Sequence, residues 1–314
     1  MMVKPRALKK GETVGLVAPS GPVPKPEIVD AAVAKVLELG FNVKVGESCR
    51  GSYGYLAGCD EVRANDLNAM FADPLISGII SMRGGYGALR ILDKLDYRTI
   101  ARNPKVFVGY SDITCLHLAF NKMCNLVTFH GPMATTDMLP DFDAFSKESF
   151  LKAITANGPL DMLNNPSGEP IKCLTKGKAS GPIVGGNLSL ISALMGTPYE
   201  IDTKDKLLLL EDIDEHPYRV DRMLTQLRLA GKFAQCSGVI IGDWNNCVPE
   251  EGKPSLSLMD LVEGIIAPFG KPAIYNFKAG HSQPKITVPF GVEAVLDADS
   301  CTLSIKKSAA KANI

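Results

Sequence analysis

The stretch KVFVGYSDITCLHLAFNKM, Lys105–Met123, decides how this chain is read. Residues 105–110 form an apolar run of strand character, and residues 112–123 carry apolar side chains at helical spacing. Gly109 and Ser111 mark a sharp turn between them. A serine at such a turn has two readings. It caps the following helix, accepting from a free backbone N–H. Alternatively it is a nucleophile on a strand-to-helix elbow, where the helix N-terminus favours an oxyanion. The local motif does not choose, because Ile113 stands where the second glycine of G-x-S-x-G would be.

Working outward, the N-terminal half alternates strand and helix signals. TVGLVAPS (13–20) reads as a strand and 27–39 as a helix stopped by Gly40. FNVKVG is a strand, 60–71 a helix, SGIISMRGG a buried strand and 86–95 a helix. This β-α-β-α order predicts a mostly parallel sheet with both faces covered. Its chemistry is expected at the strands' carboxyl ends, where APSGP, MRGGYG and GYSD lie. Residues 157–181 are rich in Gly, Pro, Asn and Lys. We therefore expect a domain over 1–156, a linker over 157–180 and a second domain over 181–314. In the last, KLLLLED and SGVIIGDW read as strands, 217–229 and 258–266 as helices, and VEAVLDADSCTLSI as a hairpin turning at 297–300.

Lys+Arg and Asp+Glu are both 34, and no basic patch suggests nucleic acid as a partner. No apolar run is long enough to span a membrane. The start has no apolar core of a secretory signal, and the eight cysteines form no C-x-x-C pair. A cytoplasmic protein with reduced thiols is expected. Neither a nucleotide-loop motif nor a metal-ligand spacing occurs, so no cofactor or metal is expected.

A serine nucleophile needs a base, and there are four histidines. His117, six residues along the same helix, points away from Ser111. His216 lies in a polar loop before a helix. His130, ending TFH, and His281, in a Gly/Pro loop, are tied on spacing. Glu211 follows four leucines, and a buried carboxylate there needs a partner such as an imidazole N–H; alternatively it reaches solvent or an arginine such as Arg219 or Arg222. Asp212 alternates to the other face. The glycines after Met82 form either a simple turn or a backbone N–H cradle.

Seven stretches together resemble the LD-carboxypeptidase family of serine peptidases: GLVAPSGP, MRGGYGALRIL, FVGYSDITCLHLAF, TFHGPM, GPIVGGNLSLISALMGTPYEID, LLLLEDIDEHPYRVDRMLTQL and GHSQPKITVPFG. They run in the family's order along most of the chain, ending at Gly291. The resemblance implies Ser111 as nucleophile, His281 as base and Glu211 as orienting acid. It implies an oxyanion hole from the backbone N–H groups of Asp112 and Gly85. Arg83 is a candidate for a substrate carboxylate by its charge, and Asn187 is a second polar candidate that a turn role explains equally well. The implied fold is α/β: a Rossmann-like, mostly parallel N-terminal domain with a smaller β-rich C-terminal domain, commonly dimeric. The implied reaction releases D-alanine from muropeptide tetrapeptides in cell-wall recycling. Two alternatives stay open: a same-fold hydrolase of microcin-like peptidyl-nucleotides, and a non-catalytic two-domain binding protein. Residues 157–181 contain no aromatic residue to stack an adenine, which favours the muropeptide.

Overall fold

The chain builds two sheets in this computed structural model, which describes residues 2–312. The first half supplies β1 (Thr13–Val17), β2 (Asn42–Val45), β3 (Ile76–Ser81), β4 (Val106–Gly109) and β5 (Thr128–His130). These five pair in parallel in the order β5-β4-β3-β1-β2. β3 and β4 are almost wholly buried, as apolar runs covered on both faces should be. Helices Pro26–Glu38, Asp60–Ala72 and Thr114–Cys124 supply the cover.

The rest of the chain builds an eight-stranded sheet. Its strands are β6 (Asp161–Met162), β7 (Lys172–Thr175), β8 (Lys178–Asn187), β9 (Leu207–Ile213), β10 (Gly238–Asn245), β11 (Ala273–Tyr275), β13 (Glu293–Asp297) and β14 (Thr302–Ile305). β8 to β11 are parallel at its centre, and antiparallel strands flank them. One strand crosses over. Residues Val288–Phe290 (β12) return to the first sheet and pair antiparallel with β5, Val288 opposite His130. The loop 276–287 therefore starts on one sheet and ends on the other.

Several elements differ from the sequence reading. Residues 157–180 carry β6, β7 and the start of β8, and β6 and β7 form the two outer edges of the second sheet. Side-chain bonds order this polar stretch: Asn165 accepts from Lys278 N at 2.9 Å and donates to Asn276 O at 2.5 Å. Hydrophobic periodicity does not register such bonds. The expected helix 86–95 is a 3-10 turn, Ala88–Lys94, behind two glycines at positive φ. The helix expected from 112 starts at Thr114, after a 3-10 turn Ser111–Ile113. The helix expected over 258–266 is α-helical only at Leu258–Leu261 and then widens into a π turn. The hairpin Glu293–Ile305 forms as read, with Cys301 left-handed in its turn.

Candidate active site

The strand-to-helix turn holds Ser111 in a strained backbone. Its φ is +64°, a region that non-glycine residues seldom occupy. Gly109 makes the turn feasible: a Cβ there would lie 2.8 Å from Ile113 Cγ2. Ile113 thus packs its side chain into the space left by Gly109. The loop after β3 closes on the same serine. A Cβ on Gly84 would lie 2.8 Å from Ser111 Cβ and 3.0 Å from its Oγ. Ser111 makes no capping bond to the helix that follows.

Its hydroxyl lies 3.0 Å from His281 Nε2, and His281 Nδ1 lies 2.7 Å from Glu211 Oε2. With the carboxylate accepting at Nδ1, the ring proton sits there and Nε2 is left as the acceptor for the serine O–H. Glu211 comes from β9 and is fully buried, so the imidazole N–H is what compensates its desolvation. Glycines make room for it. Gly280 has φ +124°, and a Cβ there would lie 2.7 Å from Glu211 Oε2. Asp212 does turn to the other face, accepting from Asn187 Nδ2 at 2.8 Å and from Ser189 N at 2.9 Å. Burial, reinforced by the charge of Glu211, pushes its carboxyl up to about 6.

The other histidines lie elsewhere. His130 is buried among Tyr110, His117 and Phe290, and neither ring nitrogen has a partner among the described residues. Burial pushes its pKa well below the ordinary value, so it stays neutral. By position, His281 and not His130 faces Ser111. His117 bonds Gly109 O at 2.8 Å, and burial lowers it to about 4. His216 is half-buried, bonds Val248 O and stacks on Tyr218. Arg219 pairs with Glu215, not with Glu211.

Gly85 has φ +112° and packs against Gly21. Asp112 buries its carboxylate, which accepts from Ala88 N at 2.8 Å and is pushed up by that burial. This bond ties the turn that carries Ser111 to the end of the glycine loop. Arg83 is half-buried and donates to Pro22 O at 3.2 Å. Asn187 caps the helix Leu188–Ala193 through Oδ1 and gives one amide hydrogen to Asp212, so its other N–H is what remains for a ligand.

A polar cleft of about 640 Å³ opens beside His281, with Asp243, Trp244, Asn245 and Lys278 on its wall. Lys278 pairs with Asp243 at 3.3 Å. Three further residues here, Tyr110, Asp137 and Lys285, escaped the sequence reading. Their only signal was a lysine inside the apolar run PKITVPF. Among the described residues no group of three or more His, Cys, Asp or Glu side chains is placed to hold a metal ion.

Comparison with known proteins gives two family matches. The model of the LD-carboxypeptidase N-terminal domain matches residues 14–131, and that of the LD-carboxypeptidase C-terminal domain matches 180–296. A probable murein peptide carboxypeptidase of Bacillus subtilis is 43% identical over 304 residues, covering 96% of this chain and 94% of its own. The structure of a muramoyltetrapeptide carboxypeptidase from Oxalobacter formigenes superposes with a TM-score of 0.80 at 27% identity, covering 95% of this chain and 99% of that one. The microcin C7 self-immunity protein of Escherichia coli is 26% identical over 332 residues, covering 95% of this chain and 94% of its own.

Proposed function

The chain belongs to the LD-carboxypeptidase family, and from that premise we propose how it works: as a serine carboxypeptidase that cleaves the amide between an L-centre and a C-terminal D-amino acid. The substrate is a murein peptide, and the residue released is the D-alanine of a tetrapeptide. The observation that carries this reading is the series of contacts from Ser111 Oγ through His281 to Glu211, at 3.0 and 2.7 Å.

In this reading His281 Nε2 takes the Ser111 proton as Oγ attacks the carbonyl carbon. The N–H groups of Gly85 and Asp112 receive the oxyanion. His281 then returns the proton to the departing amine, and the acyl group stays on Ser111. Water, deprotonated by the same imidazole, releases it. Glu211 keeps the ring in the tautomer this requires and offsets the imidazolium. Arg83 pairs with the terminal carboxylate that a carboxypeptidase has to recognise, and the free amide hydrogen of Asn187 serves the bound peptide. No step calls for a metal or a cofactor.

The setting we propose is cytoplasmic wall recycling, which the eight free thiols support. The homodimer implied by the family resemblance is part of the same proposal, and sedimentation would test it. The decisive experiment is release of D-alanine from a defined tetrapeptide by the parent and by Ser111→Ala. Loss in the variant with an unchanged circular dichroism spectrum is expected, and full activity would remove Ser111 from the mechanism.

A further inference from the structure

Hydrogen bonds at both ring nitrogens of His281 define an axis, but they leave the imidazole free to tilt about it. A third contact fixes that tilt. The ring of Tyr110 meets the imidazole edge to face, with centroids 4.9 Å apart and planes at 65°. Tyr110 directly precedes Ser111 in the chain and is 2% exposed. It is held in turn. Its hydroxyl donates to Asp137 Oδ1 at 3.1 Å, and the ammonium of Lys285 lies 4.0 Å from its ring centroid. Lys285 pairs with the same oxygen of Asp137. The other carboxylate oxygen accepts from Met133 N at 2.8 Å.

Lys285 and Asp137 are each 2% exposed. Burying an ammonium costs several kcal/mol, and an apolar pair of the same volume often stabilises a fold as well or better. What this ion pair supplies is a fixed geometry. One carboxylate oxygen gathers the lysine of the loop that carries His281 and the tyrosine that directly precedes Ser111 after β4. The backbone secures the same loop: Lys285 N donates to Ser146 Oγ at 2.8 Å, and Ile286 N donates to Lys278 O at 2.7 Å.

We propose that Tyr110, clamped by Asp137 and Lys285, is a positioning residue that sets the tilt of the His281 imidazole toward Ser111. The inference rests on the reading of His281 as the base. It goes beyond that reading by assigning a task to three residues that touch neither the carbonyl nor the nucleophile oxygen.

The test compares Tyr110→Leu, Tyr110→Phe and the parent in two assays. One is steady-state turnover of a murein tetrapeptide, and the other is the rate at which a fluorophosphonate probe labels Ser111. Misaligned catalytic groups cost up to about a hundredfold, so Tyr110→Leu should lose roughly 10- to 100-fold in kcat and in labelling, with KM nearly unchanged. Tyr110→Phe keeps the ring and should restore most of both. A loss confined to KM would make Tyr110 a substrate contact, and unchanged kcat and labelling in Tyr110→Leu would dismiss the clamp. Should Tyr110→Leu not fold, the double variant Asp137→Leu/Lys285→Met, which leaves no orphan charge, decides by the same two rates. Slower labelling supports the clamp, and a parental rate overturns it. The labelling assay needs no particular substrate, so an error in the proposed substrate is separable from an error here.

Discussion

His281 and Glu211 lie 70 residues apart in sequence, yet Nδ1 and Oε2 are 2.7 Å apart, and nothing else in the fold is bonded to that carboxylate oxygen as a side-chain partner among the described residues. Replacing Glu211 by Gln keeps the volume and removes the charge. The imidazole then loses its preferred tautomer and the counter-charge for its protonated form. We expect kcat to fall by roughly two to four orders of magnitude with KM changed little. Steady-state kinetics on the tetrapeptide would show it, and a loss below tenfold would mean Glu211 is not the orienting acid.

Ser111 sits at φ +64°. Ser111→Gly relieves that conformation and should raise stability by about 1 kcal/mol, less the entropy glycine loses on folding, while abolishing turnover. Urea midpoints of the parent and the variant would measure the difference. A destabilised variant would show that the serine side chain contributes more to the fold than its backbone costs.

Gly84 packs its α-carbon against the serine side chain, with room for no Cβ. Gly84→Ala should displace Ser111 Oγ from His281 and reduce kcat at least about tenfold, with the fold retained. Labelling by the fluorophosphonate should slow in parallel. An alanine variant that is labelled at the parental rate would mean the two loops give way to each other.

The buried His117 makes stability depend on pH. Burial lowers its pKa from 6.5 to about 4, so between these values the unfolded chain takes up a proton that the folded one refuses. Stability therefore falls as pH drops through this window, by about 2 kcal/mol over the first 1.5 units for this group alone. Asp212, raised to about 6, acts in the opposite sense below that pH. The contribution of His117 is isolated by His117→Gln, whose urea midpoint should change less between pH 7 and pH 5 than that of the parent. Equal changes would mean that His117 takes up a proton in the folded state.

Much of the fold was legible because strand runs such as Ile76–Ser81 and Leu207–Ile213 are nearly uniform in burial, and apolar composition reports burial directly. The position of Ser111 was legible as a turn, but its role was not, since a cap and a nucleophile demand the same local sequence. The choice between His130 and His281 depends on β12 returning to pair with β5, a contact between residues 158 apart (288 − 130) that no local pattern encodes. The family resemblance supplied what spacing could not. Tyr110, Asp137 and Lys285 went unread because each looks ordinary alone: an aromatic at a strand end, an acid in a loop, a lysine near a proline. Only their meeting in space gives them meaning.

The return of β12 also bears on which part of the chain completes the site. A nascent chain emerging from the ribosome exposes Ser111 long before Val288–Phe290 are made. Those residues cover the β5 edge of the first sheet, and they follow directly on the loop that carries His281. A chain ending before residue 288 would lack the strand that seals this sheet, and it should release no D-alanine from a tetrapeptide however well its first half folds.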